Sequence, residues 1–482
     1  MSEPNPGPPP PLGWAALMGE GRGVYTVILN LGIGLHAIDV FIISTVMPAV
    51  VADIGGARFY AWSTMLYMVA SIIGAASGAP VRAALGPRRG YTVAGIIFLL
   101  GTAGCGASPD MAVLLVMRTV QGFGGGLLLA QSMGLVSELY PVALRTRILA
   151  LISGVWGVAA LIGPLVGGVF AELGWWRGAF WASLPVILIF TALAWHTLPA
   201  TARPGRVSRY PMRRLGLLGA GVLCVGLAST LETDHLAMAG LVAAAIGLVG
   251  MTFRLDAGAG AKGGAGNRLF PSHATSLSSP VGTAFWIYFM ASITHTSIGV
   301  FLPLILQVVH GVTPLVAGYF NAILAVSWTA ASFATAHWRG RGQDVAVVGG
   351  QLVAFAGMAG LAVGVVILPP VVIGVFTAMV GFGIGTSNLH LTANTMHSAL
   401  PGEENVTASS IPTIRSLGIA FGAALSGLIA NLAGLGGGIS VETVGRAITW
   451  VNIGAALAPA AAVLLALRLV ALRRRAVGVP SR

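Results

Sequence analysis

The chain has 482 residues, 56% hydrophobic and only 8% charged, with a mean hydropathy of +0.87. Apolar runs of about 18 to 25 residues recur from end to end, which excludes a soluble globular protein and predicts an all-α integral membrane protein. The net charge of +12 would suggest nucleic acid if it lay on a soluble face, but it falls between the apolar runs and so reports topology, with no nucleic-acid partner expected.

The Pro-rich opening MSEPNPGPPPPLG reads as a disordered cytoplasmic lead-in over residues 1–23 rather than a secretory signal. A first six-helix unit is predicted over 24–198, with spans at roughly 24–46, 59–81, 90–108, 111–137, 147–171 and 177–198. The first span carries His36 and Asp39 and has Pro48 beyond its end. The second and third are joined by a basic turn, Gly86 to Arg89. RTVQGFGGG opens on Arg118 in the fourth, and Gly163-Pro164-Leu165-Val166-Gly167-Gly168 lies in the fifth. Proline in a span frees a backbone acceptor and bends the helix, while the neighbouring glycines admit a second backbone closely, as do Gly122 and Gly124 in the fourth span. These are hinge and packing devices. GFGGG is not a phosphate loop, because no strand precedes it and no GK[ST] follows.

Residues 199–279 read as linkers around two extra spans, at roughly 213–231 and 235–253, joined by the short Glu232-Thr233-Asp234 turn. The flanking basic segment 199–212 and the Gly/Ser-rich stretch 256–279 are the kind of linkers that carry reach and flexibility. A second six-helix unit is predicted over 280–471, with spans at roughly 280–307, 315–337, 345–367, 369–395, 405–431 and 447–470, before a basic cytoplasmic tail at 472–482. With fourteen spans both termini share a side, and the loops and tails on that side hold 21 of the 26 basic residues. The opposite loops hold only Arg58, Arg177 and Arg446, so the positive-inside rule places both termini in the cytoplasm.

The two units echo each other at a nearly constant offset. GFGGG at Gly122–Gly126 returns as GFGIG at Gly381–Gly385, 259 residues on, and Pro48 returns as Pro303, 255 residues on. A 6+2+6 plan results, with a translocation path expected between the two halves.

Asp39 is the only acid deep within a predicted span. Such a group can load and release a proton as its surroundings alternate, or it can be a permanently protonated helix-packing donor. Arg118 keeps its charge and can hold a carboxylate or backbone carbonyls; the alternative is neutralising helix ends. His36 stands three residues before Asp39 and shares its face, as a proton relay or simply a polar lining residue. Arg415, also within a span, can meet an anionic substrate, or pair at the interface with Glu403 or Glu404. Gln121, His295, Asn388 and His390 are further candidate substrate contacts, with Asn394 beside them. Trp62, Tyr67, Trp156, Trp286 and Tyr288 are candidates for an aromatic pocket, against the commoner fates of interfacial belt and packing. Cys105 and Cys224 both sit in apolar spans, which argues against a disulfide framework or a Cys-ligated metal; no metal or cofactor is expected.

Several of these motifs together resemble the major facilitator superfamily, specifically its fourteen-span drug:proton antiporter branch. HAIDVFIISTVMP (His36–Pro48) resembles that branch's first-span signature, RTVQGFGGG its fourth-span motif and GPLVGG its fifth-span antiporter motif. GWWRGAFWASLP (Gly174–Pro185) is similar to the start of the sixth span, and FLPLILQVVHGVTPLVAG (Phe301–Gly318) to the segment that opens the second half. The chain departs from the pattern in GAPVRAALGPRR (Gly78–Arg89), which lacks the loop acid of relatives, and at Ala159, where an upstream glycine is usual.

The resemblance implies two six-helix bundles plus two extra helices, in a cytoplasmic (inner) membrane, and a direct Asp39–Arg118 pair. It also implies a monomer exchanging protons for hydrophobic or amphipathic small molecules such as drugs. Export of a lipid or a specific metabolite on the same fold is a second reading. A non-transport polytopic enzyme or receptor is a third, weakened by the lack of a metal cluster, nucleophile constellation or nucleotide loop in the sequence.

Overall fold

In a computed structural model, residues 13–19, 21–200, 212–231, 234–263 and 268–477 are described, and among them every regular element is helical. The first half comprises α1 (Arg22–Ile54), α2 (Trp62–Gly106), α3 (Met111–Leu139), α4 (Val142–Glu172), the short α5 (Arg177–Trp181) and α6 (Leu184–Thr197). Then come α7 (Met212–Ala228) and α8 (His235–Gly263). The second half is α9 (Pro280–Val308), α10 (Pro314–Thr335), α11 (Arg341–Gly364), α12 (Pro370–His397), α13 (Glu404–Leu432) and α14 (Val441–Val477). Among the described residues twelve helical segments are long and apolar enough to cross a membrane, one of them the 50-residue Ala57–Gly106 and another the joined Arg177–Thr197. In hydrocarbon each backbone donor and acceptor must be satisfied within its own segment, which is why apolar runs of this length fold as helices.

The basic turn expected at Gly86–Arg89 is there and is very tight: two helical legs of α2 meet at Gly86, which alone leaves helical geometry at φ 79° and ψ 168°. That combination belongs to glycine, and Pro87 fits the first turn of the leg that follows. The stretch 256–279 is also less of a free linker than its composition suggests. Helix α8 continues to Gly263, and the Asp256 carboxylate accepts the backbone N–H groups of Leu269 (2.8 Å) and Phe270 (3.0 Å) while pairing with Arg214 of α7. Glu403, at the start of α13, accepts from Ser272 N (2.9 Å) and Arg268 (3.1 Å), so residues 268–279 are tied on both sides. Within the expected tail 1–23, Trp14–Leu17 form a 3₁₀ turn whose buried Leu17 offers its carbonyl to Thr26 Oγ1. Residues 1–12, 20, 201–211, 232–233, 264–267 and 478–482 lie outside the described set, and with them most of that tail, most of the basic linker, two residues of the Glu232–Asp234 turn and part of the 256–279 stretch.

The glycine echo has a shared structural basis. In α3, Gly122 and Gly126 lie against the carbonyls of Tyr67 and Ser71 on the first leg of α2, while Gly124 lies against Phe98 on the second leg. In α12, Gly381 and Gly385 lie against the carbonyls of Leu324 and Trp328 in α10, while Gly383 lies against Gly350 and Ala354 of α11. Alternate glycines thus let one helix wedge between two others in each half.

Among the described residues, every hydrogen bond joining 22–198 to 280–477 lies toward the end away from the termini. Gln307 Nε2 donates to the Thr45 carbonyl, Asn321 Nδ2 to Ser44, the Leu315 N–H to Glu172 and Asn431 Nδ2 to the Arg58 carbonyl. At that end one apolar core spans both halves, with Tyr60 stacked on Phe301. Toward the terminal end the core divides, and α7 lends Val222 and Val225 to one part and Leu218 to the other.

Candidate functional site: a buried acid–guanidinium network

Asp39 sits midway along α1 and Arg118 two turns into α3, and both are buried. Arg118 Nη1 donates to Asp39 Oδ2 and to Gln121 Oε1, each at 2.5 Å. Gln121 Nε2 in turn donates to the other carboxylate oxygen, Oδ1, at 2.7 Å, and to Thr102 Oγ1 at 2.9 Å. The spacing of Arg118 and Gln121, one helical turn apart, lets both address the same carboxylate. Arg118 Nε remains buried without a partner.

The guanidinium lies 4.2 Å over the ring of Tyr67, whose hydroxyl is 2.8 Å from His36 Nδ1. Gly125 makes room for this bond: a Cβ there would stand 2.6 Å from His36 Nδ1 and 2.8 Å from Tyr67 Oη. Trp156 of α4 closes edge-on against His36, with centroids 6.0 Å apart. Asp39, Arg118, Gln121, His36, Tyr67 and Trp156 therefore converge on one place, and Thr102 and Cys105 of α2 join them without any prior signal in the sequence.

Other singled-out residues fall elsewhere. Trp62 donates to Ser229 Oγ near the far end (3.2 Å), and Trp286 donates to the Thr275 carbonyl in the loop before α9 (3.1 Å). His390 is buried against α10, its Nε2 3.0 Å from the Thr335 carbonyl, and Asn394 is buried on the same helix. His295 meets Trp328 edge-on at 5.9 Å. Arg415 does not pair with Glu403 or Glu404: it bonds Asn388 Oδ1 and lies 4.9 Å over the Tyr288 ring, while Glu403 is taken by Arg268 and Ser272. With a rise of 1.5 Å per residue, those acids sit about 17 Å away along α13. Among the described residues no group of three or more His, Cys, Asp or Glu side chains is placed to hold a metal.

The glycine–proline motif of α4 sits where the halves meet. A Cβ on Gly163 would clash with Phe41 and the Ile38 carbonyl of α1, and one on Gly167 would crowd Ile42 and Thr45. Gly168 lies against Leu315 of α10, and Pro164 and Thr45 fill the space beside Gly318.

Membrane-length helices packed in two groups, hydrogen-bonded to each other at one end, with a buried acid–guanidinium pair between central helices, are the architecture of a membrane carrier. The chain belongs to the major facilitator superfamily, whose profile matches residues 29–423, and it is accordingly a transporter and not an enzyme. It is 34% identical over 447 residues to a probable multidrug-efflux transporter of Mycobacterium tuberculosis, covering 87% of this chain and 90% of that one. It is 26% identical over 442 residues to the multidrug transporter protein MdtP of Bacillus subtilis, covering 86% and 76%. Among solved structures it resembles a bacterial homologue of the human lysosomal transporter Spinster, with TM-score 0.60 and 14% identity over 94% of this chain and 98% of that one. The xylose transporter XylE of E. coli gives a TM-score of 0.58 at 15% identity over 90% and 96%.

Proposed function

We propose that the protein exports hydrophobic or amphipathic small molecules in exchange for protons by alternating access. The observation that carries this reading is the sealed Asp39–Arg118–Gln121 network: an ionised pair in the middle of a membrane bundle is costly to keep unless its charge state is used. Relatives named for multidrug efflux support the cargo class. A proton taken up by Asp39 cancels the charge that holds Arg118, freeing α3 to shift against α1. The unpartnered Arg118 Nε gives the guanidinium a reason to move, because a buried unsatisfied donor costs about 1–3 kcal/mol. His36 and Tyr67 flank the pair as the polar route toward it.

In this reading the chain crosses the membrane fourteen times. The long α2 is counted as two crossings about Gly86, α5 and α6 as one, and the 17-residue α7 as one, giving six plus two plus six. Both termini are cytoplasmic and the membrane is the inner one, because Arg22, Arg82, Arg145, Arg341 and Arg473 gather on one side. The halves, joined at the far end, then stand in the inward-facing state. Residues 24–198 and 280–471 rock against each other about the α4–α10 contact, in a monomer.

The test is efflux of a panel of fluorescent amphipathic dyes from proteoliposomes under an imposed pH gradient, with proton release followed on substrate addition. Gradient-driven efflux is expected in the wild type and lost in Asp39→Asn. Failure of both signals in the wild type removes the antiport proposal; efflux unchanged in Asp39→Asn removes Asp39 as the coupling group.

A further inference from the structure

The second half holds a membrane-embedded cation with no carboxylate to meet it. Arg415 lies at the twelfth position of α13, about 16 Å along that helix, and its only polar contacts are neutral: Asn388 Oδ1, and the ring and hydroxyl of Tyr288. Every acid of the second half is committed elsewhere or lies at a helix end. Asp344 binds Arg473 and Arg474, Glu403 binds Arg268, Glu442 faces Arg446, and Glu404 is exposed at the start of α13. Asp39 belongs to Arg118 in the other half.

Arg415 borders a small cavity whose polar wall also includes Ser292, Gln351, Ser387 and Asn388. Gln351 is buried, its Nε2 donates to Ser387 Oγ at 2.7 Å, and its carbonyl oxygen has no partner at all. The rest of the wall is apolar and aromatic, with Ile287, Trp328, Ile384 and Leu391. The network of the first half is internally neutral, whereas this site keeps a net positive charge and an unfilled acceptor inside the bundle. A half-buried charge without a counter-charge at membrane depth is costly, and a guanidinium is shaped to take a carboxylate or sulfonate through two parallel N–H bonds.

We propose that Arg415 is the head-group site for an amphipathic organic anion, which supplies the missing counter-charge. The anionic oxygens bind the guanidinium. A hydroxyl of the ligand or a water molecule donates to the Gln351 carbonyl, and the hydrocarbon body lies against Trp328 and Ile384. With the anion seated, neither half carries net charge at membrane depth, which lowers the electrostatic cost of turning the carrier around. The proposal rests on the transporter reading and narrows its cargo. The anion comes either from a soluble amphiphile or from an anionic lipid head group.

The experiment compares pyrenebutyrate with the neutral pyrenebutanol, by equilibrium dialysis against full-length protein in nanodiscs. One set of nanodiscs contains only phosphatidylcholine and a second contains phosphatidylglycerol. In phosphatidylcholine, wild type is expected to favour the carboxylate, with about tenfold or more lost in Arg415→Gln, partial retention in Arg415→Lys and unchanged pyrenebutanol binding. Asn388→Asp keeps the arginine but gives it a carboxylate, and is expected to lose the preference equally. Retained pyrenebutanol binding shows that each variant is folded. Competition by phosphatidylglycerol that disappears in Arg415→Gln identifies the lipid head group as the source; its absence identifies the soluble amphiphile. Equal binding of both probes by wild type, or a preference that survives both Arg415→Gln and Asn388→Asp, overturns the proposal. No gradient is needed, so anion binding without proton-driven transport fails the antiport reading alone, while transport without an Arg415-dependent preference fails this inference alone.

Discussion

Arg118 holds two acceptors with one nitrogen and lies on an aromatic face, so its neighbours depend on it more than on one another. Arg118→Leu leaves Asp39 as an uncompensated carboxylate, and breaking a buried pair from one side costs about 3–5 kcal/mol. The double variant Asp39→Leu with Arg118→Leu removes both charges and regains most of that loss. Thermal melting of the detergent-solubilised protein checks the order: wild type and double variant close together, single variant well below. The two charges were legible in the sequence because ionised residues interrupt apolar runs. The bond between them was expected only from the family resemblance, since its partners stand 79 residues apart and no periodicity encodes which helices touch. Thr102, Gln351 and Ser387 left no mark either, because hydroxyls and amides within apolar helices are common and reveal their partners only when the bundle is assembled. Arg415 was visible as a charge, yet of the two acids nearest in sequence Glu403 serves a different arginine and Glu404 stands exposed at the helix start.

At the scale of helices, the apolar runs located nearly every element, and the turn at Gly86–Arg89 was legible from its glycine, proline and arginines. What they did not show was its tightness: a glycine at φ 79° followed by a proline lets the chain reverse while helical hydrogen bonding resumes at once on either side. Composition misled at 268–279, where polar residues supplied partners for Asp256 and Glu403 rather than slack. The glycine wedges give a sharp test. Gly122→Ala places a Cβ 2.3 Å from the Tyr67 carbonyl oxygen, where backbone has to move, and is expected to cost about 1–3 kcal/mol and to lower the melting temperature. Gly240→Ala in α8 meets nothing within 4 Å and is expected to leave it unchanged or slightly raised. Equal effects at the two positions contradict the wedge.

At the scale of the molecule, the hydrogen bonds between the halves lie at one end, and locking that end arrests any rocking motion. Gly427 and Ala61 approach closely enough there that a Cβ on Gly427 would lie 3.0 Å from that of Ala61. Ala61→Cys with Gly427→Cys is expected to cross-link under mild oxidation, to stop efflux, and to recover with a reductant. Efflux that persists in the cross-linked protein shows that the far end does not need to open.

Helix α7 bears on how such a chain can be shortened. At its end the Ser229 hydroxyl accepts from Trp62 of the first half (3.2 Å), and the Ser229 carbonyl accepts from Asn431 of the second (2.8 Å). One residue of the supposedly extra pair thus serves as a common anchor for both halves. Cutting α7 and α8 out to leave a twelve-crossing carrier removes an acceptor from two donors at once, in a region with little water to replace it. The pair is therefore not a detachable spacer, and a minimal version of this protein needs new partners for Trp62 and Asn431 before it needs a new linker.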